Sequence, residues 1–143
     1  MVAIHRAPTR ELDAETLHDV LRLRQDVFVL EQECLYPDLD GRDLDPGTVQ
    51  VWAEDAEGGV VATLRILQDG GPARIGRVVT AMAARGQGIA AAMMAAALDG
   101  TQGPVVLEAQ SHLAHWYEGL GFVVVGDEYL DDGIPHVPMR LDR

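Results

Sequence analysis

The chain has 143 residues, 48% of them apolar, enough to fill the core of a single domain over residues 1–143 and too many for a disordered segment. Its formal net charge is −12, and all 11 basic residues are Arg with no lysine at all, so the clustered positive charge needed for nucleic acid or an anionic membrane is missing. No stretch reaches the ~20 apolar residues of a membrane span, no leader-like segment opens the chain, and the single Cys34 permits neither an internal disulfide nor a cysteine-based zinc site, so the sequence reads as cytoplasmic and metal-free.

Val2–Ile4 reads as a short strand ahead of a turn at Ala7-Pro8-Thr9. A helix is predicted after Asp13, whose side chain suits the first free amides, with Leu17, Val20, Leu21, Val27 and Phe28 at helical spacing. Arg24 stands on that apolar stripe. A guanidinium there must be paired or face a polar cavity, so it serves either a structural salt bridge or the pocket. Glu31–Pro37, with a short helix near its beginning, and the Asp- and Gly-rich run Asp38–Gly47 form a long connection. The acidic run is either a receiver for a cation or a solvated loop. Thr48–Glu54, Gly59–Leu67 and Ala73–Thr80 are strands, and the turn sequences Glu57-Gly58-Gly59 and Asp69-Gly70-Gly71-Pro72 join them as an antiparallel meander.

Ile89–Leu98 is almost pure Ala and Met, a strong helix able to lie close on a sheet. Gly103-Pro104 restarts the chain into an interior strand, Val105–Ala109. A short helix from about His112 to Leu120 stops at Gly121; Phe122–Val125 and a strand through Val137 and Leu141 complete the order. The fold class is therefore α/β (α+β), a mixed, largely antiparallel central sheet flanked by helices. Such a sheet has open edges, and a homodimer is one way to cover them.

The most informative segment is Val78-Val79-Thr80-Ala81-Met82-Ala83-Ala84-Arg85-Gly86-Gln87-Gly88-Ile89-Ala90, where a strand turns into a helix through two glycines. The first amides of that helix lack intrahelical partners and lie at its positive end, an arrangement that holds a pyrophosphate, with Arg85 placed to add charge. A P-loop is excluded by the missing lysine. A dinucleotide fingerprint is excluded by the absent third glycine and by the antiparallel strands that precede the loop.

Arg85-x-x-Gly88-x-Ala90 fits the Q/R-x-x-G-x-G/A loop of the GCN5-related N-acetyltransferases. Leu23–Gln32, Gly76-Arg77-Val78-Val79, Leu107-Glu108-Ala109-Gln110 and Gly133-Ile134-Pro135-His136 extend the likeness, in order, over most of the chain. The sequence resembles that family and, within it, the ElaA-like proteins. The resemblance implies an acyl-coenzyme A N-acyltransferase fold with acetyl-coenzyme A as acyl donor. Its diphosphate would lie on Arg85, Gly86, Gln87, Gly88, Ile89 and Ala90, and its pantetheine arm along the backbone of Val78, Val79 and Thr80 and on the amide of Gln110. It also implies that the strands ending at Thr80 and Ala109 splay apart around the thioester, with a backbone amide near Val79 on the oxyanion, and that Tyr117 directs its hydroxyl at the departing sulfur.

The acceptor amine must attack uncharged, so a base or a water has to take its proton. Glu33, Glu108 and His136 are the candidates; Glu108 alternatively pairs with Arg24 or Arg77, and His136 alternatively bridges backbone groups. The acceptor is a small-molecule amine or a protein or peptide amine. The alternative function is a coenzyme A-binding sensor or partner protein without transfer activity.

Overall fold

The computed structural model describes residues 1–143. Asp13 caps the first helix as predicted, accepting a 2.7 Å bond from the Thr16 amide, and α1 runs over Ala14–Arg24. The helix then widens into a π-helical turn over Gln25–Glu31, where the Gln32 amide reaches back five residues to the Val27 carbonyl at 2.9 Å. Val27 and Phe28 of this turn bury with Leu23 of α1 against Val79. β1 (Ala3–Pro8) is longer than the predicted strand and absorbs Ala7-Pro8. Proline is tolerated there because β1 is an edge strand, paired only with β2.

β2 (Val49–Glu54), β3 (Val60–Leu67) and β4 (Ala73–Thr80) form the predicted antiparallel meander. β5 (Val105–Gln110) lies parallel to β4, and β8 (Ile134–Leu141) runs antiparallel beside β5. The outer side of β8 takes both β6 (Val123–Val124) and a three-residue strand, β7 (Tyr129–Asp131), too short for its sequence to signal. The order β1-β2-β3-β4-β5-β8-β6 is a mixed, mostly antiparallel sheet, the fold class expected.

One face of this sheet is covered by α2 (Ile89–Asp99), which buries Ile89, Met93, Met94 and Ala97 in a core with Leu64, Ile66, Ile75, Val105, Leu107 and Met139. Each fully buried Met or Ile removes apolar surface worth roughly 1.5–3 kcal/mol. α1 covers the other face. α3 (Ala114–Glu118) closes the far end, placing Tyr117 in the main core beside Phe122. No helix is long and apolar enough to cross a membrane.

The connection between α1 and β2 departs from expectation. Its helix is a single 3₁₀ turn at Arg42–Leu44, late in the segment rather than near its beginning. Its acids are neither a receiver for an outside cation nor merely solvated, because Asp38 and Asp43 are buried on three internal arginines. Arg24, only 1% exposed, bonds Asp38 Oδ2 at 3.0 Å, the Asp38 carbonyl at 3.1 Å and both Asp43 oxygens at 2.7 and 3.1 Å. Arg65 takes Asp40 through two bonds of 2.8 and 2.9 Å, and Arg77 Nε lies 2.7 Å from Asp38. Arg24 is therefore the structural bridge of the two uses open to it. The Arg65 guanidinium holds Asp40 well below the usual carboxylate range. Burial pushes Asp43 up, but Arg24, Gln50 and Arg65 together outweigh it and leave Asp43 lowered.

Candidate active site

Two irregularities of β4 open a cleft. Its pairing with β5 ends at Ile75↔Leu107, so from Gly76 to Thr80 the side of β4 facing β5 has no strand against it. Opposite β3, the register slips by one residue between Thr63↔Val79 and Arg65↔Gly76, a β-bulge centred on Arg77 at φ 54. Ala81 donates to Val61, so the alternation of the ladder directs Val79 toward β3 and turns Thr80 into the gap. The expected splay is present, and Thr80 presents its backbone to it.

The gap leads to the start of α2. Ala92 makes the first bond of the helix, to the Gly88 carbonyl at 3.1 Å, and the amides of Ile89, Ala90 and Ala91 before it have no partner in the chain. Gly86 and Gly88 have φ of 77 and 76, and a Cβ on either would meet nothing within 4 Å. Glycine is needed here for the left-handed backbone and not for internal packing, and the space above both residues is open. Arg85 is already engaged: it grips Glu31 through two 2.8 Å bonds and donates to the Thr80 carbonyl at 3.0 Å, tying the π-helical turn to the loop.

Below the loop, a cavity of about 300 Å³ extends between the splayed strands, the 32–42 segment and the tip of the β7–β8 hairpin. Tyr117, Gln110, Glu108, His136 and Val78 all line it. Tyr117 is 7% exposed and its hydroxyl has no hydrogen-bond partner; burial pushes it up to about 12, so it stays protonated throughout the physiological range. Gln110 donates to Gln32 Oε1 at 3.3 Å. His136 Nδ1 lies 2.8 Å from the Ile134 carbonyl, which can only accept, so Nδ1 carries a proton and donates it there, and Nε2 has no partner in the chain.

Two candidates fare differently. Glu108 reaches neither Arg24 nor Arg77. It takes Arg74 at 3.1 Å and the Tyr129 hydroxyl at 2.8 Å. Glu33 is exposed and does not line the cavity; at φ 56 it ends the π-helical turn, letting Cys34 donate back to the Phe28 carbonyl and turn inward. Sequence reasoning missed Arg74 and Tyr129, which join Glu108 to the wall of the cavity. Only the cross-strand register of β4, β5, β7 and β8 brings these three together, and no spacing in the sequence signals it.

This architecture, a parallel β4–β5 pair that parts above a glycine-capped helix, defines the class. Residues 24–143 match the family described as Acetyltransferase (GNAT) domain, and the chain belongs to that family of acyltransferases, whose donors are acyl-coenzyme A thioesters. Among curated relatives it is 47% identical to a UPF0039 protein of Mycobacterium tuberculosis, over 96% of this chain and 91% of that protein. It is 40% identical to Protein ElaA of Escherichia coli, over 92% and 91% respectively. Among solved structures, an acyl-CoA N-acyltransferase from Pseudomonas aeruginosa superposes with a TM-score of 0.93 at 39% identity, covering 99% of each chain.

Proposed function

We propose that the protein transfers the acetyl group of acetyl-coenzyme A directly to an amine. The observation that carries this reading is that the unpartnered amides at Ile89–Ala91 follow directly on the open side of β4, while the Tyr117 hydroxyl, without a partner in the chain, stands on the cavity that Gly76–Val78 of the same strand also line. The residues present fit the donor. Amides at the helix mouth suit a diphosphate, and Gln110 offers an amide to a pantetheine arm, but the open edge that the arm can use is Val78 and Thr80 only, because the expected backbone groups of Val79 are taken up by the ladder with β3. No charged side chain needs to be displaced for this. Arg85 holds the loop through Glu31 and Thr80 instead of waiting for the phosphate.

Tyr117 is the donor to the leaving sulfur. A phenol held at about 12 is a weaker acid than a thiol, so it keeps its proton and steadies the departing thiolate by donating a hydrogen bond to it. His136, whose Nδ1 is held by the Ile134 carbonyl and whose Nε2 has no partner in the chain, is the group that accepts the amine's proton, directly or through one water. Glu108 is engaged twice over and Glu33 lies outside, so neither is the base. Calorimetry with acetyl-coenzyme A, followed by thiol release across an amine panel, tests the reading. Tyr117→Phe is expected to lower kcat about 100-fold while leaving coenzyme affinity unchanged. Unchanged turnover in Tyr117→Phe would remove the acid, and absence of binding would remove the whole proposal.

A further inference from the structure

The His136 ring does not stand alone in the cavity. In the register of the sheet, Gln110 of β5, His136 of β8 and Tyr129 of β7 form one cross-strand row, with all three side chains on the same face. The Tyr129 and His136 rings are stacked, centroids 5.9 Å apart and planes 28° from parallel. The Tyr129 hydroxyl donates to Glu108 Oε2 at 2.8 Å, and the other oxygen of that carboxylate takes Arg74 at 3.1 Å. The imidazole is thus fixed at two points. Ile134 holds Nδ1 from within its own strand, and a ring pinned at its far end by an ion pair walls one flat side.

From this geometry we infer that Tyr129 is a positioning residue for His136, and that Glu108 serves the reaction by anchoring Tyr129 and not by taking a proton itself. The inference rests on the reading of His136 as base. An imidazole with only the Ile134 bond can swing about Cβ. The stacked wall restricts that swing and keeps Nε2 aimed at one place in the cleft. Burial and the neighbouring Glu108 raise the Tyr129 hydroxyl to about 12, so the anchor remains a donor over the working pH range. Among the charged groups that line the cavity, Arg74 pairs with Glu108, and Asp40 pairs with Arg65 and Arg77.

A double-mutant cycle tests this. His136→Gln should lower kcat about 100-fold. Tyr129→Leu, which removes wall and anchor, should lower kcat about 10-fold with KM values within 2-fold, and Tyr129→Phe, which keeps the wall but loses the anchor to Glu108, should recover only part of it. In the His136→Gln background, Tyr129→Leu should cost nothing further, because a residue acting through His136 has nothing left to act on. Glu108→Gln keeps an acceptor for Tyr129, so it should lower kcat no more than about 3-fold, well short of the loss in His136→Gln. Equal losses from Tyr129→Leu in both backgrounds, or a Glu108→Gln enzyme that loses about 100-fold, would overturn the inference while leaving acetyl transfer standing. Full turnover by His136→Gln would instead strike the reading of the base beneath it. The ¹⁵N spectrum of the imidazole decides the geometry even without turnover: one fixed Nδ1–H tautomer is expected in the native protein and an averaged one in Tyr129→Leu, and identical spectra would refute the role of Tyr129.

Discussion

Arg24→Met offers the sharpest test of how the fold is held. The guanidinium is 1% exposed and makes four bonds of 2.7 to 3.1 Å to Asp38 and Asp43. Methionine refills much of the volume but strands one net negative charge among Asp38, Asp40 and Asp43, now facing Arg65 and Arg77 alone. Removing one partner of a buried ion pair costs about 3–5 kcal/mol. The lower end applies here, because Asp43 keeps Arg65 at 3.2 Å and Gln50 at 2.9 Å. For a chain of this length, ~3 kcal/mol corresponds to a fall in Tm of about 10 °C. Circular-dichroism melts at pH 7 measure it, and urea titration gives the same difference independently. Adding Asp38→Asn to Arg24→Met removes the stranded charge, so the pair should be more stable than the sum of its singles predicts. A Tm within about 3 °C of the parent for Arg24→Met, or strict additivity of the pair, would refute the claim that this network carries stability across the α1–β2 connection.

The other expectations concern the helix mouth and the acid range. Gly88→Ala should cost about 1–2 kcal/mol in stability, since an alanine must take φ 76, and should also weaken acetyl-coenzyme A binding by placing a methyl group where the chain leaves open space. Equal affinity by calorimetry would mean that the diphosphate lies elsewhere. Asp40 and Asp43 titrate below their unfolded values, so their stabilisation is complete above the unfolded pKa of about 4 and fades as pH falls through the lower folded values. Melts taken between pH 6 and pH 2.5 should show that loss, with a shallower slope in Asp40→Asn; parallel curves would contradict the assignment.

How much of this was legible in the sequence differs between elements. The Asp13 cap, the Ala- and Met-rich α2, the three-strand meander and the glycine turn before Ile89 were all readable, because each depends on neighbours within about four residues: a side-chain oxygen near free amides, a helical period, a turn residue between alternating runs. The roles expected of Tyr117 and Gln110 come from resemblance, and both residues line the cavity. β7 was missed because three residues carry too little alternation to signal a strand, and it exists by pairing with β8. The exposed position of Glu33 and the pairing of Glu108 with Arg74 and Tyr129 have no signal in the sequence, because they depend on a left-handed turn and on cross-strand register.

By itself the sequence determined the order of elements, the sheet class and a helix start shaped for an anion, since local propensity and periodicity act over one or two turns of chain. Tertiary structure alone decided what the charges do. Arg24 finds Asp43 across 19 residues and Arg74 finds Glu108 across 34, distances at which composition says nothing about who meets whom. Only the folded sheet, by burying some carboxylates on arginines and setting others beside Tyr129, fixes which acids stabilise the fold and which nitrogen of His136 meets the Ile134 carbonyl.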